Sequence, residues 1–179
     1  MPAPLALSES LAILCSGLFA GTALYLSFVE HPARMLCGTT LALTQFAPSY
    51  KRATVMQASL AALGTLAAIA SWLMGAPAPW LVGGILLGAV IPFTLIVILP
   101  TNKRLLDTSL DKDSNLAEQL LRHWAKLHAV RSALSLTSCL MFLFSTFSRG
   151  AKVQWGMVEA PDFSQGSGAF KRRDNRYAS

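Results

Sequence analysis

The chain has 179 residues, a length suited to one domain, and it is 53% hydrophobic but only 13% charged, with a mean hydropathy of +0.47 and a formal net charge of +6. A soluble domain carries about a quarter charged residues, so the composition excludes a disordered chain and argues against a water-soluble globule. The charges are segregated as well: none falls in residues 11–29, 54–74, 80–99 or 132–148, stretches of 19, 21, 20 and 17 residues. A bilayer core of about 30 Å is crossed by about 20 apolar residues of helix. The reading is an all-α, integral membrane four-helix bundle over residues 1–148, multi-pass in the lipid bilayer, with a polar, irregular tail over residues 149–179.

Taken in order, residues 1–10 read as a short tail with Pro2 and Pro4. They carry no basic n-region of the kind a signal peptide has, so residues 11–29 are expected to stay as the first span. That span holds Gly17 and Gly21, four apart on one helix face, an arrangement that admits close helix packing. It closes on Glu30-His31-Pro32, where the proline disfavours helical geometry in the residue before it and predicts a bend or helix end near His31. A loop with some helix, carrying Arg34, Tyr50, Lys51 and Arg52, is expected next.

The second span, residues 54–74, is joined to the third by Gly75-Ala76-Pro77-Ala78-Pro79, a breaker short enough to force an antiparallel hairpin. The third span, residues 80–99, offers Gly83, Gly84 and Gly88 as a second close-packing face and should kink at Pro92. Pro100-Thr101-Asn102-Lys103-Arg104 is expected to close it. Asn115 followed by Glu118 fits a helix start of the capping-box kind. From there Leu120, Trp124, Leu127, His128 and Arg131 share one face, and the helix should run on without a break into residues 132–148.

Four crossings fix the side of every loop. The ends carrying Glu30, His31, Arg34, Tyr50, Arg52, Thr101, Asn102, Lys103, His128 and Arg131 must share one membrane face. That face also carries most of the Lys and Arg near the spans, which places it in the cytosol by the positive-inside rule. Basic residues in such loops suit anionic headgroups, and the loops show no basic patch interleaved with aromatics, so no nucleic-acid partner is expected. Cys15, Cys37 and Cys139 form no C-x-x-C pair and read as free thiols. His123, five residues before His128, should point outward.

The convergence of imidazole, amide and guanidinium groups at one membrane boundary marks His31, Asn102, His128 and Arg131 as candidate catalytic residues. Ionisable groups at such a depth are costly and tend towards function. Histidine takes or gives a proton near neutrality, and a neighbouring cation favours an anion forming beside it. Tyr50, Thr101 and Trp124 are candidates for the substrate-binding wall. The bland alternative is that these groups cap helix ends or anchor to headgroups. Two histidines and Glu30 have no metal-ligand spacing, so no metal site is expected.

These motifs resemble those of the DUF1772 / anthrone oxygenase-like family of small four-span membrane proteins. The resemblance rests on His31-Pro32 ending span 1, Pro100-Thr101-Asn102 with Leu105 after span 3, and Trp124-x3-His128-x2-Arg131 before span 4, and it covers about residues 8–148. It implies oxidation of an apolar aromatic small molecule, a polyketide anthrone, without metal, flavin or other cofactor, with His31, Asn102, His128 and Arg131 forming the polar site. The contrasting expectation is a non-catalytic accessory subunit or assembly factor, in which the basic, aromatic-punctuated tail (Trp155, Phe163, Phe170, Tyr177 and Lys171-Arg172-Arg173) folds onto a protein partner. Co-purification separates the two: a stoichiometric complex favours the subunit, a lone protein carrying an aromatic favours the enzyme.

Overall fold

The computed structural model describes the backbone of residues 2–156 and the side chains of residues 2–150. Residues 1–146 form one compact unit. A second unit comprises residues 147–179, whose described part is the end of a helix that continues to Gly156. The tail expected to be irregular from residue 149 is therefore helical for its first turns. Residues 157–179, with the basic cluster and the partner-binding role expected of it, lie outside the described residues.

Four helices are long and apolar enough to cross a membrane: α1 (Ala3–Leu36), α2 (Thr39–Leu73), α3 (Pro79–Leu105) and α4 (Asn115–Gly156). They form an all-α membrane bundle whose burial pattern inverts that of a soluble protein. Leucines such as Leu14, Leu18, Leu63, Leu66 and Leu140 face outward, whereas Ser16, Ser71, Ser132, Ser135 and Ser138 are buried. Lipid is as apolar as leucine, so association comes from small residues and interhelical hydrogen bonds rather than from hiding apolar surface. Ser138 on α4 donates to the Gly83 carbonyl of α3 at 2.7 Å, and Ser8 and Ser71 hydroxyls join α1 to α2 at 2.8 Å.

The close-packing face expected on α3 is present. A Cβ on Gly84 would stand 3.0 Å from Ala68 Cβ, one on Gly88 3.0 Å from the Thr65 methyl, and one on Gly83 2.5 Å from the Phe142 ring. Rising numbers on α3 oppose falling numbers on α2, which is the antiparallel hairpin, turned at Gly75 with φ +99°. The Gly17/Gly21 pair does not serve as expected. Gly17 faces Cys139 Sγ at 3.9 Å, but nothing lies within 4 Å of a Cβ on Gly21. Gly64 on α2 is the tight point against α1, 3.0 Å from Cys15 Cβ.

Several expected breaks are absent, each for a local reason. Helix α1 begins at Ala3, because prolines in a first turn give up only N–H groups that have no helical partner. The expected loop over residues 34–52 shrinks to Cys37-Gly38, turned at Gly38 with φ +90°. Helix α2 runs straight through Pro48, which lies on its exposed face. Helix α4 is capped one residue earlier than the Asn115 reading, by Ser114 Oγ accepting from the Ala117 N–H at 3.2 Å. Glu118 pairs with Arg122 instead. In the connection before it, the Ser109 backbone N–H and hydroxyl hold the Asp107 carboxyl below the usual carboxylate range.

The most consequential difference lies at Pro32 and Pro100. Neither ends its helix. Each follows a single π-helical turn, Leu26–Glu30 in α1 and Thr94–Ile98 in α3, in which the His31 N–H reaches back to the Leu26 carbonyl and the Leu99 N–H to the Thr94 carbonyl. A proline lacks an N–H and its ring clashes with the carbonyl four residues before it. One wide turn upstream relieves both conflicts by inserting an extra residue. Such turns rotate everything beyond them, and they recur at functional sites. In α1 the inward residues run Phe19, Ala23, Leu26 and would continue at positions 30 and 33. After the π turn they are His31 and Arg34. In α3 the buried positions beyond the π turn, Ile98, Thr101, Asn102 and Leu105, keep the spacing of Trp80, Gly83, Gly84 and Leu87 before it.

Candidate functional site

Beyond the two wide turns, all four helices contribute to one polar cluster. Its floor is aromatic. Tyr50 stacks on Phe46 with centroids 5.9 Å apart, and Phe46 meets Trp124 edge-on at 5.3 Å. Trp124 touches two imidazoles, stacked on His128 at 4.8 Å and tilted against His31 at 5.4 Å. The two histidines predicted to meet at one mouth therefore share a contact with the same indole. Both are buried, and His123 is exposed.

A small cavity of about 20 Å³, room for about one water molecule, opens among these residues. Asn102, Tyr50, Trp124, His128 and Arg131 line it, as do Arg34, Phe46 and Gln57, which the sequence reading did not place in the site. His31 stands one ring away, against Trp124, and Thr101 is buried next to Asn102 along α3.

The hydrogen bonds around His128 decide what its ring offers. Ser27 Oγ donates to the Ala23 carbonyl at 2.9 Å, so at 3.1 Å from His128 Nδ1 it is placed to accept. Ser132 Oγ lies 3.0 Å from the same hydroxyl. With the Ser27 proton donated to the Ala23 carbonyl, the ring proton sits on Nδ1, the tautomer that leaves the Nε2 lone pair free. Nε2 is buried and has no partner among the described residues.

Arg131 is fixed by a comparable relay. Thr22 donates to α1 carbonyls, accepts from Gln57 Nε2 at 3.4 Å, and so turns Gln57 Oε1 towards Arg131, whose Nη2 donates to it at 2.6 Å. The guanidinium also sits 5.4 Å above the Phe19 ring. Arg34, buried, pairs with Glu30, whose carboxylate also accepts from Gln45. Arg131, by contrast, meets a neutral amide, with no carboxylate in ion-pair range among the described residues. Its Nε, Arg34 Nε and Asn102 Oδ1 are buried without partners there.

Buried polar groups are nearly always satisfied, and a set left open in one place calls for a partner there, a water or a ligand. An uncompensated guanidinium beside a free imidazole nitrogen is equipped to take a proton and hold the anion that results. Among the described residues no three His, Cys, Asp or Glu side chains converge as a metal site would require.

A family model described as anthrone oxygenase matches residues 46–141, just over half of the chain. The chain belongs to the anthrone oxygenase family. No curated protein and no solved structure matches it. The anthrone oxygenase match contains Phe46, Tyr50, Gln57, Asn102, Trp124, His128 and Arg131, and Ser27, His31 and Arg34 are supplied from before its first residue. Gln57 had a signal of its own, as the one amide in the charge-free stretch 54–74. Ser27 had none, because serine in an apolar helix most often bonds its own backbone.

Proposed function

We propose that this protein oxidises a flat, apolar aromatic carbon acid of the anthrone class with molecular oxygen. The observation that carries the reading is the Arg131 guanidinium, hydrogen-bonded to a neutral amide and with no carboxylate in ion-pair range among the described residues, beside His128, whose Nε2 has no partner among them. An anthrone carries an acidic methylene between two rings and a carbonyl across from it. His128 Nε2 takes the methylene proton, and the charge moves to the carbonyl oxygen, where Arg131 and the Asn102 amide face it. Tyr50, Phe46 and Trp124 supply flat walls. His128 takes the base role over His31 because it lines the cavity and its tautomer is held by Ser27.

The electron-rich anion passes one electron to oxygen, and the ring radical and superoxide join in a carbon–oxygen bond. The peroxide recovers the proton from His128. Loss of the remaining ring hydrogen with hydroxide, as water, leaves the second carbonyl. In sum, anthrone and one oxygen molecule give anthraquinone and water.

The test is oxygen uptake with 1,8-dihydroxyanthrone by the full chain in lipid nanodiscs, corrected for empty nanodiscs. Uptake well above that of the His128→Ala, Arg131→Ala double variant is expected. Equal rates would remove the mechanism.

A further inference from the structure

A second cavity, of about 90 Å³, lies deeper in the bundle beside Phe19, walled by Ala58 and Ala61 of α2 and by Val90, Ile91 and Leu95 of α3. Thr54, Gln57 and Arg131 line both cavities. The Arg131–Gln57 hydrogen bond is thus the partition between a polar chamber and an apolar one. The apolar chamber lies within the charge-free stretches, and Ala58 and Leu95 at its outer edge are exposed, Leu95 to 59%. Its opening is between α2 and α3, onto the hydrocarbon.

Resting on the oxidase reading above, we propose that the substrate comes from the bilayer rather than from water. Its fused rings enter between α2 and α3 with the oxygen end leading, one ring in the chamber beside Phe19 and the rest in the opening at Ala58 and Leu95, and the oxygens displace Gln57 from Arg131. This is the entry pose, from which the rings move on past Arg131 until the methylene edge reaches His128. The polar cavity with room for about one water does not hold three fused rings. Joined to its neighbour by the loss of one side-chain hydrogen bond, it becomes a slot that is apolar at the lipid end and cationic at the inner end. That polarity matches a fused-ring phenol or anthrone, which partitions into hydrocarbon and carries its oxygens at the rim. An acyl chain would fill the apolar half but offer nothing to Arg131. The proton on Gln57 Nε2 stays with Thr22, so the glutamine swings from a fixed hinge when the guanidinium is taken.

The experiment uses 1,8-dihydroxyanthraquinone, already oxidised and so not turned over, with the full chain in phosphatidylcholine nanodiscs. Bound probe is read by its visible absorbance after subtraction of empty nanodiscs. Ala58→Trp and Leu95→Trp place an indole in the opening, and each should weaken binding about tenfold or more. Leu66→Trp, on the lipid face of α2 away from the opening, should bind as the wild type does, and all three should elute as monodisperse folded protein. Equal binding by the wild type and both mouth variants overturns the proposal, as does a wild type that does not bind. A phospholipid that stays bound at saturating probe, seen by native mass spectrometry, overturns it too. Failure of oxygen uptake with this binding pattern intact sinks the oxidase reading and leaves the route standing. Loss of the pattern with turnover intact does the reverse.

Discussion

Replacing Arg131 by methionine together with Gln57 by leucine separates a catalytic cation from a structural one. The two side chains meet at 2.6 Å, and no carboxylate is in ion-pair range of the guanidinium among the described residues. A unit charge about 4 Å from a developing oxyanion is worth about 4 kcal/mol at an effective dielectric of about 20. Removal of an oxyanion donor in other enzymes costs about 10²–10³ in turnover. Oxygen uptake by the double variant should fall by that factor.

Stability should move the other way. Exchanging an enclosed polar pair for apolar groups of similar volume is often neutral or stabilising by about 1–4 kcal/mol, because the desolvation cost of the guanidinium disappears. Arg131→Met alone leaves Gln57 Oε1 unpaired at a cost of about 1–3 kcal/mol, so the double variant should be the more stable of the two. The assay pairs oxygen uptake with thermal unfolding in the same nanodiscs. A double variant that unfolds earlier than the wild type while turning over at the wild-type rate would refute the reasoning and make Arg131 a scaffold residue.

Ser27→Ala should lower kcat about tenfold with KM little changed, because His128 loses the acceptor that holds its proton on Nδ1; an unchanged kcat would move the base elsewhere. Gly83→Ala should cost about 1–3 kcal/mol, since its Cβ would meet three atoms of the Phe142 ring, itself stacked on Trp80 at 4.9 Å. Gly21→Ala, with nothing within 4 Å, should instead stabilise by up to about 1 kcal/mol; thermal unfolding of the pair in one detergent checks the order. Ser114→Ala should destabilise the start of α4 by about 1 kcal/mol. Hydrogen exchange at the Ala117 amide should then run about fivefold faster, and an unchanged rate would place the cap elsewhere.

Much of the polar cluster was legible in the sequence. Asn102, His128 and Arg131 line the cavity with Tyr50 and Trp124, and their common membrane face followed from counting crossings. His31 was expected in the polar cluster and stands one ring away from the cavity, and Thr101 is buried beside Asn102. Gln57, Phe46 and Arg34 were not placed in it. Phe46 and Arg34 fell in a stretch read as loop, where helical spacing assigns no face. Gln57 lay in an apolar span, where its partner on another helix leaves no trace in local pattern. The helix end at Pro100, and the end offered beside a bend near His31, did not form for one reason: proline was weighed against the α-helix alone, and a π turn accommodates it.

The sequence by itself determined four apolar helices long enough to cross lipid and which polar groups share one end of the bundle. Hydropathy over 20 residues decides insertion, and the parity of the crossings follows by arithmetic. Only the tertiary structure decided which side chains face one another. A single extra residue in α1 turns His31 inward in place of position 30. The pairing of Arg131 with Gln57 joins positions 74 residues apart. Helix phase and interhelical partners are set by the packing of neighbours around a proline ring, and that packing exists only once the helices have met.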